Sequence, residues 1–149
     1  MRRCRQIFIL PLSTVLILVA ACGPLADDEE EVDIARDIDL GEELYMQHCE
    51  VCHGGETGGD IEDVPPPHNH NGHTWHHGDC ENLRMVMEGN GEMRQNMLIQ
   101  QGVPEEDAVM PAFEGTLSED EAVAILEFIK TWWAEEQREH QELVTQDLC

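Results

Sequence analysis

Cys49, Glu50, Val51, Cys52 and His53 form a C-x-x-C-H pentapeptide, and no other segment of this 149-residue chain restricts its folding so strongly. Two cysteines three apart on one helical turn point the same way. Both thiols then reach the two vinyl groups along one edge of a haem, and the histidine that follows lies over the ring as an iron ligand. A bare C-x-x-C also serves redox, zinc and disulfide chemistry. A thioredoxin-like pair needs βαβ patterning, but no β-branched run of strand length follows the N-terminal apolar segment. A zinc site would recruit two later histidines, which lack the defined spacing of zinc modules. A Cys49–Cys52 disulfide would close a tight loop with no evident purpose. The adjacent histidine selects covalent haem c.

Composition agrees with a fold built on a cofactor. Aromatic residues make up only 5% of the chain and glycines number 12, a thin supply of large core side chains that a central haem would supplement. The 32 acids against 8 Lys and Arg, a net charge of −24, exclude nucleic acid as a partner, because phosphate binding rests on basic patches. Anionic membrane surfaces are disfavoured for the same reason.

Arg2, Arg3 and Arg5 precede an apolar run from Ile7 to Ala21, the architecture of a signal peptide over residues 1–21. At about 15 residues the run is shorter than the roughly 20 needed to span a bilayer core, and Pro11 interrupts it. Val19, Ala20, Ala21 and Cys22 resemble the lipobox of bacterial lipoproteins, in which the cysteine becomes the lipidated first residue. The alternative is an ordinary cleavage site with a coincidental cysteine. Cleavage before Cys22 removes three basic side chains and no acid, leaving 5 against 32 and a net charge of −27. The stretch 22–39 carries an acidic block, Asp27 to Glu31, and little that packs, so a solvated flexible tether is expected. The domain proper is expected over 40–144, with 145–149 as a tail.

A helix over Leu40 to His48, with Asp39 as its cap, leads into the pentapeptide. Gly41, Leu44 and Tyr45 stand ahead of Cys49 in the G-x-x-L-[YF] pattern, and the chain from about Leu40 to Trp133 resembles the class I cytochrome c family. That resemblance implies an all-α domain of three to five helices wrapped around one haem. It also implies a distal methionine ligand shortly before the last helix, where Met110, Pro111, Ala112 and Phe113 fit M-P-x-F. A thioether is a soft ligand that raises the reduction potential, and a methionine followed by proline is held at a fixed approach. Met46 is too close to the pentapeptide to reach the opposite face. Met85 and Met87 fall in an expected helix, Asp79 to Glu88, where core packing is the plainer reading. Met93 and Met97 compete with Met110.

Ser118 and Glu121 form a capping box for the last helix, whose Ala122, Ile125, Leu126, Ile129 and Trp133 make one apolar stripe. The resemblance implies that this helix crosses the first at Gly41, packing Gly41 and Tyr45 near Ile125, Phe128 and Ile129. Trp132 and Trp133 are not expected to face the core together, and the sequence beyond them is expected to extend the same helix.

His68, His70, His73, His76 and His77 give five histidines in ten residues, enough for a second metal such as copper if several converge. The competing expectation is a haem-covering loop shaped by Pro65 to Pro67, in which Trp75 and one or two histidines donate to the propionates. A histidine replacing Met110 as distal ligand is the less favoured arrangement. Cys80 and Cys149 remain as a disulfide pair or as two free thiols.

The function these residues imply is one-electron transfer by a lipid-anchored, exported cytochrome facing the periplasm or cell exterior, with no enzymatic chemistry of its own. An acidic surface calls for redox partners with a basic docking patch. The alternatives are a metal-delivery or sensing protein working through the His-rich loop, and an open-site haem peroxidase or gas sensor if Met110 does not ligate.

Overall fold

The helix with the clearest start signal begins where the capping box places it. In the computed structural model, which describes residues 27–149, Ser118 Oγ accepts the Glu121 N–H at 3.2 Å and Glu121 Oε2 accepts the Ser118 N–H at 2.7 Å. The helix so capped, α6, spans Glu119–Lys130 and buries Ala122, Ala124, Ile125, Leu126, Phe128 and Ile129. Its partner across the core is α1, Asp27–His48. The two cross where Gly41 removes the side chain from between them. A Cβ at Gly41 would lie 2.0 Å from the Ala124 carbonyl oxygen and 2.9 Å from Phe128 Cβ. Tyr45, one turn on, is fully buried and tilts against Phe128, as the family resemblance implies.

Between these helices lie α2 (Glu50–His53), a 3-10 turn (Thr74–His76), α3 (Asp79–Glu88), α4 (Gly91–Gln100) and α5 (Glu105–Ala108), and α7 (Glu135–Leu148) follows α6. The described residues contain no strand, only an isolated bridge between Glu114 and Leu117. The fold is all-α, and the described residues form seven helices where three to five were expected; α2 and α5 are single turns of four residues each. No helix among the described residues is long and apolar enough to cross a membrane. The signal peptide and Cys22 lie outside the described residues.

Three boundaries differ from the sequence expectation. The acidic stretch expected as a coil is helical from Asp27, so Leu40–His48 is only the last part of α1. Acids at the start of a helix complement the positive end of its dipole, an effect that reading the block as self-repelling overlooks. At the other end, α6 stops at Lys130 and the chain turns before α7, so the C-terminal segment is a separate helix and not an extension. Residues 145–149 likewise belong to the domain, since α7 reaches Leu148 and Cys149 is bonded to Cys80.

That turn also resolves the Trp pair. Thr131 Oγ1 donates to the Phe128 carbonyl at 2.6 Å and the helix ends, which frees the two indoles from a single helical face. Trp133 is buried in the core. Trp132 packs edge-on against Tyr45 and Phe128, with ring centroids at 5.0 and 4.8 Å, so both contribute to packing.

Candidate haem site

The last turn of α1 delivers the pentapeptide. Cys49 N–H bonds back to the Tyr45 carbonyl at 2.8 Å and the His53 N–H to the Cys49 carbonyl at 3.0 Å, so both cysteines and His53 ride one short helical stretch. Both thiols are free. Cys52 is exposed, whereas burial and the neighbouring Cys52 push the Cys49 thiol up to about 11. Gly54 ends the turn at φ +69°, a conformation that suits glycine, and its carbonyl accepts the Tyr45 hydroxyl at 2.7 Å. Tyr45 thereby ties the core to the residue after His53.

His53 is held from its far side. Its Nδ1 lies 2.7 Å from the Pro66 carbonyl, and an N–H donated there leaves Nε2 with its lone pair for a metal. Burial lowers the His53 pKa and the carbonyl bond opposes that shift. The imidazole is therefore neutral at pH 7, the form that ligates. Two free thiols one turn apart, followed by a neutral imidazole with Nδ1 already engaged, fit the donor set of a covalently attached haem.

Met110 lies in the loop between α5 and α6, and this loop is tied to the end of α3. The Asn90 N–H donates to the Met110 carbonyl and the Met110 N–H to Asn90 Oδ1, both at 3.3 Å, while Asn90 Nδ2 donates to the Ala108 carbonyl at 2.6 Å. Phe113 and Glu114 N–H groups bond to the Val86 and Met87 carbonyls. Gly89, at φ +71°, lets the loop approach; a Cβ there would lie 2.5 Å from the Met110 carbonyl oxygen. Of the competitors, Met93 is 88% and Met97 47% exposed, both on α4, while Met110 is half-buried. Met85 and Met87 sit on α3 outside the core cluster, and Met85 is exposed, so neither packs the core as expected. The sequence reading missed Asn90, whose only signal was an Asn beside a glycine at a helix end. Replacing Asn90 by Ala removes the two side-chain hydrogen bonds, to the Ala108 carbonyl and from the Met110 N–H, and leaves the backbone bond to the Met110 carbonyl. It is expected to cost about 2 kcal/mol of stability and to weaken the far-red sulfur-to-iron absorption of the oxidised protein, which a spectrum recorded during a denaturant titration checks.

The model of the cytochrome c oxidase, cbb3-type, subunit III family matches residues 36–129. The chain belongs to that family. The match contains the pentapeptide, Pro66, Asn90, Met110 and nearly all of α6, and stops short of α7. No curated protein and no solved structure matches the chain. As a member of a c-type cytochrome family it carries covalent haem c and works with redox partner proteins.

The His-rich segment of this cytochrome does not bring its histidines together as the second metal centre weighed against a haem-covering loop. Among the described residues no three His, Cys, Asp or Glu side chains come together as a metal site. The histidines of this segment instead take different partners along the loop. His68 points inward, its ring stacked on His53 at 4.0 Å and its Nδ1 2.9 Å from Thr74 Oγ1. Burial and the neighbouring His53 and His73 hold its pKa well below the usual histidine range. Its place on the His53 side makes it a poor distal ligand. His70 is exposed, His73 meets His77 edge-on, and His76 packs on Trp75 near His140. The Trp75 indole N–H, expected to meet a propionate, donates to the Gly72 carbonyl at 2.9 Å inside its own loop. Asn69, buried and overlooked in the sequence, donates to the Gly55 and Gly58 carbonyls and so fastens this loop to the chain just after His53.

Proposed function

We propose that the protein is a mono-haem electron carrier in which His53 and Met110 ligate the iron from opposite sides. The observation that carries this reading is His53, set directly behind two free thiols with Nδ1 donated to Pro66 and Nε2 left to ligate. When bound, the haem supplies an iron that alternates between ferrous and ferric states, one electron at a time. The chain's own residues hold His53 in one tautomer and tether the Met110 loop to α3 through Asn90. They also bury the Tyr45, Phe128 and Trp132 cluster beside the pentapeptide. Electron transfer of this kind requires no general base or nucleophile.

The proposal extends to location and partner. The lipobox at Val19 to Cys22 supports export and lipid anchoring to a bacterial membrane, facing the periplasm or exterior. The Cys80–Cys149 disulfide suits such an oxidising compartment. A mature chain with 32 acids and 5 bases would meet a partner through a basic patch, with association that weakens as salt rises.

Covalent attachment is tested by denaturing the purified protein in acid organic solvent. Haem is expected to stay with the wild-type polypeptide and to leave a Cys49→Ala/Cys52→Ala variant completely. Extraction of all haem from the wild type would refute attachment.

A further inference from the structure

α7 lies beyond the residues matched to the family, and one row of its side chains grips the loop that holds His53. Trp133, Gln137, Gln141, Thr145 and Cys149 are spaced four apart, so they form a single ridge along the C-terminal segment. In order, Trp133 Nε1 donates to the His68 carbonyl at 2.8 Å and Gln137 Nε2 to the His70 carbonyl at 3.0 Å. Gln141 Nε2 donates to the His77 carbonyl at 3.3 Å and to Asp79 Oδ1 at 2.6 Å, and Thr145 Oγ1 accepts the Asp79 N–H at 3.0 Å. Cys149 closes the series in the disulfide to Cys80. Contacts from these five residues thus run in the same chain direction along residues 68–80. Gln137 is fixed in turn, because its Oε1 accepts the Ala134 N–H at the start of α7. Pro66 precedes the first gripped residue by two positions and supplies the carbonyl on His53 Nδ1.

We infer that α7 is a clamp whose Gln137 and Gln141 amides hold the Pro66 carbonyl against His53 and thereby set the reduction potential. The inference rests on the haem reading above. A firm hydrogen bond from Nδ1 raises the basicity of the ligating nitrogen and favours the ferric state. Loosening the loop lengthens that bond and favours the ferrous state. Gln137 and Gln141 are positioning residues, since each acts through backbone that they hold at a distance from the iron.

The test compares holoprotein of the wild type with Gln137→Met/Gln141→Met, which keeps side-chain volume and removes both donors, and with Gln137→Met alone. Gln146→Met, at an exposed position elsewhere on α7, is the control. Both clamp variants are expected to retain covalent haem. At a fixed applied potential their ratio of oxidised to reduced protein should fall at least threefold in the double variant and less in the single one. The His53 Nδ1 proton should exchange with solvent at least tenfold faster in both, with no change in the control. Clamp variants that match the wild type in ratio and in proton exchange would overturn the inference, as would an equal shift in the Gln146 control. Failure of the haem reading shows separately, as a wild type that carries no covalent haem.

Discussion

Replacing Cys80 and Cys149 together by Ser is expected to lower the stability of the folded protein by about 4 kcal/mol, the effect of releasing a loop of this size in the chain-entropy account. The two residues are 69 apart in sequence with Cα atoms at 5.8 Å, so the bond removes a large share of the unfolded ensemble's freedom. The contacts around it amplify the effect. The same end of α7 engages Asp79 through Gln141 and Thr145, and Asp79 in turn accepts from the half-buried Lys130 of α6 at 2.8 Å. Three helices therefore meet at a point that the disulfide fastens. Thermal denaturation should show a fall in Tm of roughly 15–20 °C for a domain of this size. An unchanged Tm would mean that α7 is held by its side-chain contacts alone.

A comparable loss is expected from Gly41→Ala, although it adds only one methyl group. The methyl would meet the Ala124 carbonyl oxygen at 2.0 Å and its carbon at 2.6 Å, and backbone atoms in the middle of α6 have no rotamer by which to escape. Only separation of α1 from α6 relieves the contact, and that opens the cluster of Tyr45, Phe128 and Ile129. Overpacking of this kind costs about 3 kcal/mol, at the upper end for a single added group. Gly55→Ala provides the comparison, because the nearest atom to its Cβ is Glu50 Oε1 at 3.8 Å. Denaturant midpoints of the two variants should differ widely. Equal midpoints would contradict the close crossing of α1 and α6.

Much of this architecture was legible in the residues themselves. The helical turn of the pentapeptide and the Ser118 capping box are local patterns whose physics needs few distant partners, while the packing of Gly41 and Tyr45 against α6 was implied by the resemblance to the class I cytochrome c family. The bounds of α3, Asp79–Glu88, were equally local. What escaped was decided by tertiary contact. Asn69, Asn90, Gln137 and Gln141 read as ordinary polar residues until their backbone acceptors, 11 to 67 residues away, are brought beside them. The histidine run misled in the opposite sense. Its density suggested convergence, yet His68 goes to His53 and Thr74 in the interior while His73 meets His77 and His76 meets Trp75. The acidic segment before Leu40 was judged by charge alone, whereas helix formation there depends on where the charges fall relative to the helix end.

In the proposed function, His53 and Met110 together complete the coordination of a covalently bound haem. The absorption spectrum of the oxidised holoprotein, recorded for the wild type and for Met110→Ala, tests it most directly. A far-red sulfur-to-iron band is expected in the wild type and absent from the variant, with covalent haem retained in both. A band that survives in Met110→Ala, or a wild type that lacks it, would rule out Met110 as the second ligand.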